Sequence, residues 1–168
     1  MHTILRPEQA CDVAVIDEVV RAAFAGHPHS DGSEPAIVRG LRAAGDRRLS
    51  LVALTQGQVV GHAAFSPVTL APAAPGWFGL GPVSVQPRHQ GQGVGSALVR
   101  RGLDVLRAEN AAGCVVFGNA AFYGRFGFRA HEQLTYPGGP EPLFLALAFG
   151  GGAVPRATVR YAAAFGAA

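Results

Sequence analysis

The sequence predicts a single α/β (α+β) domain over residues 1–168, in which helices flank a sheet that includes an antiparallel pair. Three observations lead there. Hydrophobic residues make up 49% of the chain and charged residues 15%, a balance that suits a well-buried core and excludes a disordered chain. Segments of helical period alternate with short runs of β character, and one such run, Val83 to Val85, passes directly into a glycine-spaced turn and an amphipathic helix. A chain of 168 residues buries roughly 70% of its unfolded surface, enough for one core.

The elements follow in order. Pro7 and Glu8 open a helix whose apolar positions Val15, Val19 and Phe24 keep the helical period. Gly26 to Ser33, with Pro28 and Gly32, breaks it, and a second helix over 36–44 completes a helical hairpin. Residues 51–54 and 59–66 read as two antiparallel strands joined by a tight turn at Gln56-Gly57-Gln58. A Pro/Ala-rich connection, 67–76, leads to a strand over 77–86 that carries Gly81-Pro82 in its middle. Proline cannot donate a ladder hydrogen bond, so a bulge or a parting of strands is expected there. Residues 95–110 form a helix with Val94, Leu98, Leu103 and Leu106 inward and Arg100, Arg101, Asp104 and Arg107 outward; Gly113 is its stop. A buried strand at 114–117, a short helix at 120–125 and a last strand at 143–149 complete the set, while 151–168 is a Gly/Ala-rich tail without a clear pattern.

Composition removes several functions. All 14 basic residues are arginine. Without lysine there is no Schiff-base or pyridoxal-phosphate chemistry and no Walker-type phosphate loop. The arginines are scattered, so the net charge of +3 does not make a nucleic-acid footprint. Cys11 and Cys114 lie far apart, outside any C-x-x-C pair, and read as small apolar residues, not a disulfide or thiolate metal site. His27, His29 and Asp31 lack the register and partners of a zinc site, so no metal is expected. No apolar run is long enough to span a membrane, and a cytoplasmic protein is the expectation.

Glycines 91, 93 and 95 stand where a strand end meets a helix start. They let the backbone approach a bulky anion, and the free N–H groups of the helix start, with its dipole, bind phosphate. Ordinary turn chemistry is the competing reading in a chain with 23 glycines. The dinucleotide fingerprint fails, because the sixth position counted from Gly91 is Ser96.

Gln90-x-x-Gly93-x-Gly95 does resemble the acyl-CoA-binding motif of the GNAT superfamily of N-acetyltransferases, and Asn119 followed by Tyr123-x-x-x-Gly127-Phe128 resembles the same family's second signature. The resemblance covers about residues 77–128. It implies a GNAT-like, mixed and mostly antiparallel sheet whose central strands splay, with Gly81-Pro82 placed to mark the splay. It also implies that Val83, Ser84 and Val85 hold the pantetheine arm of acetyl-CoA through their backbone, and that Gln90, Gly91, Gln92, Gly93, Val94, Gly95 and Ser96 cradle the pyrophosphate. A backbone N–H near Val83 to Val85 would polarise the thioester, an effect worth about 3 kcal/mol. Tyr123 is implied as the general acid that protonates the departing thiolate, and Asn119 as a neighbour of the pantetheine arm. Each has a structural reading too: a packed aromatic for Tyr123 and a helix N-cap for Asn119.

The implied reaction moves the acetyl group of acetyl-CoA to a primary amine, favoured to be a small molecule, by direct attack in a ternary complex. Cys114 lies in an apolar run where a thiol is inert, so no covalent intermediate is expected. The general base is open: residues 77–85 contain no carboxylate, leaving a water chain, His62 or Glu34. An acyl-CoA-binding regulatory or sensor module without turnover is the alternative. A dimer is common among the proteins the chain resembles.

Overall fold

Gln56 and Gly57, at φ 51° and 77°, form the tight turn that sets the register of the main sheet. The computed structural model describes residues 2–45, 49–139 and 143–166. Its strands are β1 (Thr3–Pro7), β2 (Leu49–Thr55), β3 (Gln58–Pro67), β4 (Thr69–Ala71), β5 (Trp77–Val85), β6 (Gly113–Phe117), β7 (Leu134–Thr135), β8 (Phe144–Ala148) and β9 (Ala157–Arg160). Its α-helices are α1 (Val13–Phe24), α2 (Glu34–Ala43), α3 (Val94–Ala108) and α4 (Ala120–Tyr123). The main sheet runs β1-β2-β3-β5-β6-β8, antiparallel throughout except for the parallel pair β5–β6. This is the mixed, mostly antiparallel sheet that the sequence predicts.

One face of the sheet packs on α3. Leu98, Val99, Leu103 and Leu106 meet Leu51, Ala53, Ala63, Phe65 and Leu80 in the largest apolar cluster. The helix comes close because Gly102 faces Phe65, where a Cβ would fall 2.1 Å from the ring. The opposite face carries α1 and α2, with Ile16, Val19, Val20 and Val38 packed on Val52 and Val59. Beyond the helices a second sheet, β4-β9-β7, closes over Trp77, Val115 and Ala146.

That second sheet departs from the expectation for the tail. β4 lies within the Pro/Ala-rich connection and β9 within 151–168; their pairing joins Thr69–Ala71 to Thr158–Arg160, a contact between distant segments that no local pattern announces.

The chain start departs as well. Pro7 ends β1 opposite Leu51 instead of opening a helix, and Ala10–Asp12 form a 3-10 turn before α1. Glu8 is drawn inward. Its N–H bonds Ser50 O at 2.9 Å, and its carboxylate accepts from Arg42 Nε at 2.7 Å and from Ser50 Oγ, which lies 2.8 Å from His62 Nε2. Burial alone would raise the Glu8 pKa, but the bonds from His62, Arg42 and Ser50 outweigh it and hold the carboxyl well below its usual range. The cluster ties α2 to β2, β3 and the segment that follows β1. Smaller shifts concern ends: α2 begins at Glu34 with Pro35 in its first turn, α3 stops at Ala108, and Gly113 starts β6.

Candidate active site

β5 and β6 pair from Trp77–Gly113 to Leu80–Val116 and then part. The parting coincides with Gly81-Pro82, where Ala64 of β3 faces two residues of β5 between the pairs Ala63–Val83 and Phe65–Leu80. That is the bulge expected from the proline. Beyond it β5 keeps β3 on one side and, among the described residues, has no strand on the other. Gln86 N–H bonds Val60 O at 2.8 Å, so by alternation Ser84 also directs its backbone to β3 while Val83 and Val85 direct theirs into the gap.

The gap opens into two adjoining clefts. One, of about 450 Å³, is lined by Val83, Val85, Gln90, Gly91, Gly93, Val94, Gly95, Ser96 and Tyr123 from the predicted set. The second, of about 630 Å³, is bordered by Val83, Asn119 and Tyr123 and by Glu34. Two predicted residues fall outside both. Ser84 is buried on the α1 side of the sheet, opposite His62 in register, because its position in the strand alternation points it away from the gap. Gln92 turns its side chain back onto Arg88 O at 3.0 Å, away from the cleft.

The glycine turn has the geometry that its residues require. Gly91 and Gly93 sit at φ 73° and 83°, a region costly for any residue with a Cβ, and a Cβ at either would meet nothing within 4 Å. Gly93 is the N-cap of α3, whose first turn leaves N–H groups without intrahelical partners facing the cleft. Gln90 braces the turn through Nε2 to Val85 O at 3.0 Å.

Across the gap, Asn119 caps α4, its Oδ1 accepting from Ala121 N at 2.7 Å and Phe122 N at 3.2 Å. The cap and the cleft position coexist. Tyr123 stands one turn on, its ring edge-on to Phe122 at 4.8 Å and to Phe128 at 5.9 Å. Gly118 makes room for it, since a Cβ there would lie 2.5 Å from the tyrosine ring. Burial pushes the Tyr123 hydroxyl up to about 12, so the phenol keeps its proton at ordinary pH.

The sequence of the region, residues 14–128, matches the profile of the acetyltransferase (GNAT) family. The chain belongs to that family. A GNAT-family acetyltransferase from Brucella melitensis, solved in complex with acetyl-CoA, is 46% identical and superposes with a TM-score of 0.86 over 98% of each chain. The Escherichia coli N-acetyltransferase YhbS is 39% identical over 140 residues, 80% of this chain and 81% of its own. Its structure in complex with CoA superposes with a TM-score of 0.87 at 32% identity, covering 99% of this chain and 93% of that one.

In this GNAT enzyme the remaining sequence candidates separate clearly. His62 is fully buried within the Glu8–Ser50 cluster and borders neither cleft, so it cannot meet a substrate amine. Cys114 is fully buried, and burial drives its thiol pKa far up, which keeps it inert. Glu34 does border the second cleft, held by Ser30 Oγ to its Oε2 at 2.8 Å. Among the described residues no group of three or more His, Cys, Asp or Glu is arranged to hold a metal, and no helix is long and apolar enough to cross a membrane.

Six residues of the first cleft lie outside the predicted binding set: Ala23, Phe24, His27, His89, Phe122 and Arg125. His89 borders the cleft because Pro87–His89 form a 3-10 turn that folds it inward. Arg125 lies over the Phe122 ring at 4.6 Å, which sets its guanidinium at the cleft wall. Its place two residues after Tyr123 was the available signal.

Proposed function

We propose that the enzyme transfers the acetyl group of acetyl-CoA to a primary amine by direct attack in a ternary complex. The observation that carries this reading is the parting of β5 and β6 after Leu80, which opens a gap between an anion-binding helix start and the Tyr123 hydroxyl. The residues fit the donor. The turn offers backbone N–H groups and left-handed glycines at one end, Arg125 adds a cation at the wall, and Val83 and Val85 present strand edge to a pantetheine arm.

The chain's groups then divide the work. Gly91 to Ser96 bind the pyrophosphate, and the Val83 and Val85 edge aligns the thioester and donates to its oxygen as charge develops. The amine lone pair forms the new C–N bond, and the C–S bond breaks. Tyr123 protonates the leaving sulfur as general acid, and solvent returns its proton. The amine nitrogen loses one proton, so acetyl-CoA and amine give N-acetylamine and free CoA. Asn119 borders the pantetheine side of the cleft while capping α4. Residues 1–168 act as one acetyltransferase domain, because the tail strand β9 completes a sheet packed on the same core.

The test is calorimetric titration with CoA together with thiol release from acetyl-CoA across an amine panel. Binding with amine-dependent thiol release is expected. Tight binding without release for any amine would favour the regulatory module instead.

A further inference from the structure

The gap does not end at Tyr123. On the side away from the glycine turn it continues into a cleft of about 300 Å³, bounded by Phe24, Phe117, Tyr136, Tyr161, Phe165 and Glu34. The aromatic rings form a connected wall. Phe117 meets Tyr136 edge-on at 6.4 Å, Tyr136 meets Tyr161 at 5.0 Å, and Tyr161 meets Phe165 at 4.9 Å. Phe117 is 37% exposed, unusual for so large an apolar side chain at the end of a central strand.

Two polar features break this wall. Among the described residues Glu34 is the one carboxylate bordering either this cleft or the larger cleft that contains Tyr123. Ser30 holds its Oε2, and its other oxygen makes no hydrogen bond among the described residues. The Tyr161 hydroxyl is shielded from solvent and has no hydrogen-bond partner among the described residues. A buried polar group left unmatched is costly and marks a place where a water or a ligand atom completes the bonding.

We propose that the acceptor is an arylalkyl monoamine: Glu34 takes its ammonium group beside the reaction gap, and the Phe117–Tyr136–Tyr161 wall takes its ring. This rests on the acetyl-transfer reading and narrows it. A polyamine or a polycationic sugar needs several carboxylates spaced along its length, and among the described residues this cleft offers one, set among aromatic faces. An ammonium over an aromatic-lined pocket gains from the ring quadrupoles as well as from the carboxylate. Glu34 binds and orients the amine as its ammonium; one proton leaves to solvent through the open mouth of the cleft to free the lone pair before attack, and the second leaves the same way as the C–N bond forms.

The experiment measures initial rates of thiol release from acetyl-CoA with tyramine, phenethylamine, putrescine, spermidine and a lysine amide. Tyramine and phenethylamine are both expected at least about tenfold above the others in kcat/KM, the span expected when charge and ring are both recognised. Glu34→Gln should raise the KM for tyramine about tenfold or more while kcat and CoA affinity stay within about threefold, a split that a purely structural role for Glu34 would not give. Preference for putrescine, spermidine or the lysine amide would overturn the acceptor class and leave acetyl transfer standing. An unchanged tyramine KM in Glu34→Gln would overturn the role of Glu34. No release with any amine, despite CoA binding, would overturn both this inference and the transfer reading.

Discussion

Alanine at Gly118 should abolish most turnover and leave donor binding intact. The added Cβ would stand 2.5 Å from Tyr123 Cε2 and 3.1 Å from Cδ2. Carbon atoms pack at about 3.5–4.0 Å, so the ring must retreat by about 1 Å. It has little freedom to do so, because Phe122 and Phe128 hold it edge-on at 4.8 and 5.9 Å. A displacement of that size at a reacting group costs on the order of 100-fold in rate. The overpacked site should also lose about 1–3 kcal/mol of stability. Single-turnover thiol release gives the rate, calorimetry with CoA the affinity, and a thermal melt the fold. Gly124→Ala is the control, since its backbone is right-handed helical and its new Cβ would meet only Arg129 Nη1 at 3.4 Å. A Gly118→Ala enzyme with kcat within twofold of wild type would refute the placement of Tyr123 at the reacting sulfur.

Tyr123→Phe should lower kcat by about 10- to 100-fold with the KM for acetyl-CoA little changed. Because the hydroxyl is held near 12, the loss should be alike at about pH 7 and about pH 9; a loss that vanishes at the higher pH would show the phenol titrating where the structure keeps it protonated. Gly93→Val places a β-branched residue at φ 83° and should weaken CoA binding in calorimetry by at least tenfold, with equal affinity contradicting the backbone cradle. Gly102→Ala drives a Cβ into the Phe65 ring and should cost about 1–3 kcal/mol; an unchanged melting temperature would mean that α3 can lift from the sheet.

The Glu8 cluster sets the acid limit of the fold. With its folded pKa below the unfolded value, the carboxylate contributes stability that is full above the unfolded value and is lost as pH falls through the folded one. Melting temperature should therefore hold above about pH 5 and fall below about pH 4, and Glu8→Gln should flatten that fall while lowering stability by about 3 kcal/mol. An acid profile identical in the variant would place the dependence elsewhere.

The parts legible in the sequence were those that local chemistry fixes. Gly57 announced a turn because glycine accepts positive φ, and Gly81-Pro82 announced the bulge because proline lacks an N–H. The cleft beside the glycine turn was nearly as legible, since backbone geometry leaves its mark as glycine. Alternation along β5 was readable too, and it should have removed Ser84 from the gap. What stayed hidden depends on contacts between remote segments. Glu8 looked like a helix opener until Arg42, Ser50 and His62 surrounded it, and β9 had no signal apart from its partners β4 and β7. Tyr161 borders the far cleft for the same reason: its ring lies against Gly79, where a Cβ would come within 2.5 Å, and nothing near Tyr161 in sequence foretells it.

The division of labour between main chain and side chain has an evolutionary corollary. On the proposed assignment the grip on the donor lies in peptide groups and absent Cβ atoms, whereas the far wall is made of exchangeable rings supplied by α1, β6 and the tail. Drift in the second set can retune which amines are accepted without touching the first, so laboratory selection for new acceptors can confine its libraries to those ring positions and leave the glycine turn untouched.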